Sequence, residues 1–144
     1  MDFTGSKTKL ESSLWEDRFS QEQYDILRRC SDAGSSKEWI LYRRKNRKLP
    51  ILLEGANFEE LDLSKIDLKN AHLKDASLCR CTLKQTMFMN ANLRNTKFDG
   101  ADISGAKFTA ADIENTRFTS VLATGVDFTF AQLKHADFHE ANVA

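Results

Sequence analysis

Three groups of residues in this 144-residue chain have types and spacings that could do chemistry. Cys79 and Cys81 form a Cys-x-Cys pair, His135, Asp137 and His139 alternate near the C-terminus, and Arg43, Arg44, Lys45, Arg47 and Lys48 make a basic run. A thiolate pair holds zinc only when further ligands complete a tetrahedron, and no second pair follows. The His-Asp-His alternation has no third strong ligand set beside it and reads as surface. The basic run could touch phosphate or an acidic partner. Cations at a helix C-terminus also complement its dipole, and that plainer role is preferred. No phosphate loop or nucleophile motif is present. Asp and Asn recur at a spacing that a repeat supplies whatever its function, so pairing any two as acid and base would be arbitrary. The expectation is a protein that is not an enzyme and holds neither metal nor cofactor.

Charge narrows the partners. Twenty-one Lys plus Arg balance 21 Asp plus Glu, so no net field draws the chain to nucleic acid or anionic lipid. Direct nucleic-acid binding and membrane association are not expected. No apolar run approaches the roughly 20 residues that cross a bilayer, and nothing resembles a secretory signal. Three cysteines, an odd number, point to free thiols and a bacterial cytoplasmic setting.

The element that must position these residues is a repeat. From Ile51 onward every fifth residue is large and apolar, from Leu53, Phe58 and Leu63 through Phe128, Leu133, Phe138 and Val143, with Ala123 the one exception among nineteen. Two residues before each stands a small or apolar partner such as Ala56, Ala71, Cys81, Thr96 or Ala111. A period of five fits neither a helix nor a long strand, so the chain must turn a corner every five residues and keep one side inward. Within each unit the small and large residues share a side and the residue between them points out. Turn formers such as Gly55, Asn70, Asp75, Asn90 and Gly105 hold ten of the eighteen positions two residues after the large one. All seven central Phe differ in number by multiples of ten. A twenty-residue coil therefore stacks them in two opposite columns, whereas a fifteen-residue coil would mix them with aliphatic residues everywhere.

Units such as Ala56-Asn57-Phe58-Glu59-Glu60, Ala91-Asn92-Leu93-Arg94-Asn95 and Ala101-Asp102-Ile103-Ser104-Gly105 resemble the pentapeptide-repeat family, whose unit is Ala-(Asp/Asn)-Leu-x-x. The resemblance implies an all-β solenoid, a right-handed, four-sided parallel β-helix with four units per coil. It covers residues 51–144, leaving 1–50 as an N-terminal tail and small α-helical cap. Ser20 with Gln23 reads as a capping box, and Phe19 with Tyr24 as a hydrophobic staple opening a helix. Gly34 is its stop. A second short helix after Ser36 offers Trp39, Ile40 and Tyr42 for packing. Pro50 imposes extended geometry before the repeat, and residues 1–13 read as a polar tail.

With chemistry set aside, surface remains. The phase turns Met87, Met89, Ala110 and Phe130 outward on one side of the coil, and Leu122 outward beside the irregular Ala123, where a local distortion is expected. Outward Met and Phe suit a docking patch for a protein partner of unknown identity. The last coil has no helix over it, so it is expected either to meet another copy end to end, as a homodimer, or to belong to a longer chain. The leading function is a non-catalytic protein–protein interaction module or scaffold. Some pentapeptide-repeat proteins imitate DNA and modulate gyrase, by inhibition or quinolone protection, which is the alternative. The repeat's 13 acidic against 10 basic residues supply little of the acidity that mimicry needs. A secreted bacterial effector is a further alternative.

Overall fold

A computed structural model describes residues 18–143; the expected polar tail at 1–13 lies outside them. From Leu52 onward, isolated parallel bridges join residues 20 apart, Leu52 to His72, Asn57 to Ser77, Asp62 to Thr82 and so on to Leu122 and Asn142. Each coil is therefore four five-residue segments, and the segments stack in four columns. We number the columns by their first central residues: I from Leu53, II from Phe58, III from Leu63 and IV from Leu68. Together they form a parallel β-helix.

The local chemistry of one segment explains the period. Its fifth residue takes left-handed backbone throughout, φ 57 at Ala110, 60 at Phe130 and 69 at Gly105, for example. At Gly105 a Cβ would in addition crowd the Gln85 side chain, 3.1 Å from its Cγ. The Asp or Asn in second place folds over the corner. Its side-chain oxygen accepts the N–H two residues on, as from Asp62 to Ser64, Asp102 to Ser104 and Asp137 to His139. The first residue must be small because it faces the interior beside a large one. Where it is Thr, the buried hydroxyl donates to a carbonyl of the coil before: Thr86 to Leu63, Thr96 to Leu73 and Thr116 to Leu93. Cys81 does the same through its thiol, to Phe58.

Central side chains fill the axis. The phenylalanines stack within columns, Phe98 on Phe118 and Phe118 on Phe138 at 4.8 Å, and Phe88 on Phe108 at 4.9 Å. Between columns II and IV they meet edge to face, with 5.6 Å from Phe108 to Phe118. The irregularity expected beside Ala123 is confined to two corners: the bonds from Val121 N–H to Phe118 O and from Val126 N–H to Ala123 O, which the other corners keep, are missing among the described residues. The bridges pass through its coil at the same spacing, and Val121, buried where Ala is usual, refills the space.

Two helices close the first coil: α1 (Gln21–Ala33) and α2 (Lys37–Lys45). Ser20 caps α1 by accepting from the Gln23 N–H, and Gly34 ends it with φ 62. Phe19 and Tyr24 rings lie 5.5 Å apart as a staple requires. The Gln23 side chain does not complete the capping box. It turns inward, buried, to accept from Leu52 N–H and donate to Pro50 O, because the first coil's open edge needs its hydrogen bonds more than the helix start does. In α2, Trp39 is buried with Tyr42 stacked on it at 5.6 Å. Ile40, expected to pack, lies on the other face and is exposed.

Candidate interaction surfaces

Each sequence candidate has a definite place. Met87, Met89, Ala110 and Phe130 all lie in column IV, on the outer side. Met87 and Met89 are half-buried along neighbouring side chains and Ala110 is exposed. Phe130 is 85% exposed. It also holds φ 60, a conformation that costs a residue with a side chain about 1–2 kcal/mol. A large apolar ring this exposed gains little from burial where it stands. Leu122 is 42% exposed but sits in column III, so the structure does not join it to the other four.

The basic run divides. Arg43 bends back to donate to the carbonyls of Asn46 and Leu49 and so closes the end of α2. Arg44, Lys45, Arg47 and Lys48 are exposed. Arg43, Arg44 and Arg47 rim a shallow depression with Trp39, Ile40 and Asp67. Ile40 and Leu41 give α2 an exposed apolar edge beside these cations.

The thiols are locked rather than poised. Burial pushes Cys81 up to about 12, and Cys30 upward as well, which keeps both protonated and unreactive. Cys79, placed outward by the phase, is nonetheless buried. The coil register places it between Glu59 and Asp99 of the adjoining coils, next in sequence to Arg80, which pairs with Glu59. His135 belongs to column I and His139 to column II, with His139 beside Glu140 at 3.7 Å. Among the described residues, no three His, Cys, Asp or Glu side chains are grouped to hold a metal ion. Hydrogen bonds from the Thr129 hydroxyl and N–H hold Asp127 below the usual carboxylate range.

Sequence reasoning missed two features. One is a set of charge ladders between coils: Arg80 to Glu59 and Glu60, Arg94 to Asp112 and Glu114, and Arg117 to Asp99 at 2.6 Å. Opposite charges 18 to 21 residues apart were the available signal. The other is the set of cap hydrogen bonds to the first coil, such as Leu52 N–H to Gln23 Oε1 and Trp39 Nε1 to Asp67 O; the last described coil, expected to have no helix over it, leaves Leu133 46% and Val143 69% exposed.

Comparison with known proteins places the solenoid. A sequence profile described as "Pentapeptide repeat region" matches residues 71–144, and one described as "Pentapeptide repeats (8 copies)" matches residues 52–85. Among solved structures, a pentapeptide repeat protein, Rfr23, from the cyanobacterium Cyanothece 51142 is 27% identical with a TM-score of 0.62. The match covers 64% of this chain and 63% of that one. The pentapeptide repeat protein alr5209 from Nostoc PCC 7120 is 22% identical over 61% of this chain and 84% of its own, with a TM-score of 0.52. QnrB1, a plasmid-mediated fluoroquinolone resistance protein, is 19% identical over 62% of this chain and 49% of its own, with a TM-score of 0.56. The matched segment thus spans under two thirds of Rfr23 and about half of QnrB1. No curated protein matches. The shared architecture is a right-handed β-helix. Among the described residues, no helix is long and apolar enough to cross a membrane.

Proposed function

Because the chain belongs to the pentapeptide-repeat family, we propose that it is a non-catalytic interaction module: a four-sided rigid prism that presents side chains at coil spacing to a protein partner. The observation that carries this reading is Phe130, strained and 85% exposed at the foot of a column that also turns Met87 and Met89 outward. Aromatic and Met side chains are enriched at interfaces, and a few such residues dominate binding. The locked thiols and the separated histidines are in keeping with a role that needs no chemistry. Crosslinking capture from the native cell, with wild type beside Phe130→Glu/Met89→Glu, tests it. A partner recovered by wild type and lost with the variant is expected; identical capture by both would overturn the choice of column.

Duplex mimicry is the weaker reading. It needs rows of uncompensated carboxylates, and here Glu59, Glu60, Asp99, Asp112 and Glu114 are matched by Arg80, Arg117 and Arg94. QnrB1 shares the fold at 19% identity, which carries no function across. In a supercoiling assay this chain is expected neither to inhibit gyrase nor to relieve a quinolone.

A further inference from the structure

The hydrogen bonds give the solenoid a direction. Within each segment the third and fifth N–H groups donate toward the coil that follows, and only the second donates back. Leu68 N–H thus bonds Met87 O and Asn70 N–H bonds Met89 O, whereas Met87 N–H bonds Ile66 O. The edge facing the C-terminus is consequently rich in donors, and the edge facing the N-terminus is rich in carbonyls. In the last described coil the N–H groups of Phe128, Phe130, Leu133, His135, Phe138 and Glu140 meet no acceptor among the described residues. Two such edges placed face to face would leave most donors unpaired, which disfavours joining like ends.

The matching edge is that of the first coil. Advance a second copy by one segment, and its Leu53, Phe58, Leu63 and Leu68 fall beneath Phe128, Leu133, Phe138 and Val143 with the five-residue phase intact. Its Leu52, Asn57, Asp62 and Asp67 then continue the ladder with both donors and acceptors. Side chains agree with that register. Glu59 and Glu60 come beneath Lys134 and His135, and Lys65 beneath Glu140, against one like pair, Asp62 beneath Asp137. Arg80 and Glu60 already pair at this one-coil spacing within the chain.

In the capped molecule part of that edge is already engaged. Leu52 donates to Gln23 Oε1 and accepts from Ser20 N–H. Asn57 O accepts from the Tyr24 hydroxyl at 2.7 Å, Asp62 N–H donates to Ser31 Oγ at 2.9 Å, and Asp67 O accepts from Trp39 Nε1 at 2.9 Å. In every column the cap thus bonds at least one backbone group of the edge. We propose that the N-terminal cap is an assembly stop: it engages the edge that matches the last described coil, and copies of this chain stack head to tail when it is displaced.

The test mixes two proteins. One is wild type, with its leading edge capped. The other carries Gln23→Ala and Trp39→Ala to open the cap, and Leu133→Asp to block its own last coil. Sedimentation is expected to show a 1:1 complex of twice the 16.4 kDa chain mass, absent when the wild-type partner also carries Leu133→Asp. If the opened variant does not fold, Tyr24→Phe/Ser31→Ala/Leu133→Asp removes two cap hydrogen bonds and keeps the packing; it should give the same complex at higher concentration. A folded opened variant that stays apart from wild type overturns the proposal. So does a closed wild-type dimer that Leu133→Asp abolishes, since that would join like ends.

Discussion

The two ends of the solenoid are built from the same repeat and end in different states. In the first coil Leu53, Phe58, Leu63 and Leu68 are fully buried, although only the cap lies on one side of them. In the last coil the equivalent positions open: Phe128 and Phe138 are half-buried, Leu133 and Val143 exposed. The repeat specifies the coil, whereas burial of its interior depends on what lies against both of its edges, as nearest-neighbour energetics of solenoids requires. Phe118, with stacked rings on either side, and Phe138, with one, state the difference within a single column.

The largest expected effect sharpens that contrast. Phe118→Ala should destabilise by about 3–5 kcal/mol, the range for a buried aromatic replaced by Ala. Phe138→Ala removes the same atoms from a half-open site and should cost about half as much. Denaturant midpoints of the two variants measure it; equal losses would mean that the last coil is covered in solution. Trp39→Ala works from the other end. Losing the indole and its bond to Asp67 O should reduce hydrogen-exchange protection at Leu53 and Leu63, while Phe98 keeps its protection. If only the amides of α2 exchange faster, the first coil does not depend on its cap.

How much of this was legible follows from the range of each interaction. The phase alone sorted Leu53 to Val143 into inward positions, marked the corners and put the phenylalanines into two columns, because each depends on neighbours within five residues or on one constant coil length. The cap contacts were not legible. Gln23, Tyr24, Ser31 and Trp39 reach backbone atoms 28 to 33 residues away, and nothing in local propensity tells a buried glutamine that serves a strand edge from one that serves its own helix. The outward candidates were placed by phase, yet their exposure depends on their column: Cys79 is overshadowed while Phe130 stands free.

A subtler difference between coils lies in the small inward residues. Cys81 uses its thiol where Thr86, Thr96 and Thr116 use a hydroxyl. Burial raises the Cys81 pKa from 9.0 to about 12, so the folded state holds the proton that the unfolded state gives up first. Its stabilising effect is complete below pH 9 and is lost as pH rises from 9 toward 12. Cys81→Thr keeps the bond to Phe58 O and removes the titration, so its melting temperature should fall less steeply across that window. Parallel slopes for the two proteins would assign the alkaline loss to other groups.

The smallest expected effect has the opposite sign and returns to the open end. Phe130 holds left-handed backbone at φ 60, where its counterpart in the coil before is Ala110, and the glycine corners at Gly100, Gly105 and Gly125 hold φ near 70. Releasing the Cβ strain with Phe130→Gly gains about 1–2 kcal/mol. Against this stands roughly 0.5–1 kcal/mol of added freedom in the unfolded chain, and at 85% exposure little burial is given up. Phe130→Gly should therefore raise stability by about 0.5–1 kcal/mol while weakening partner capture, the pattern of a residue kept for binding rather than folding. Destabilisation of similar size would show instead that the ring folds down in solution and shields the last coil, which would make the two ends less different than their exposures indicate.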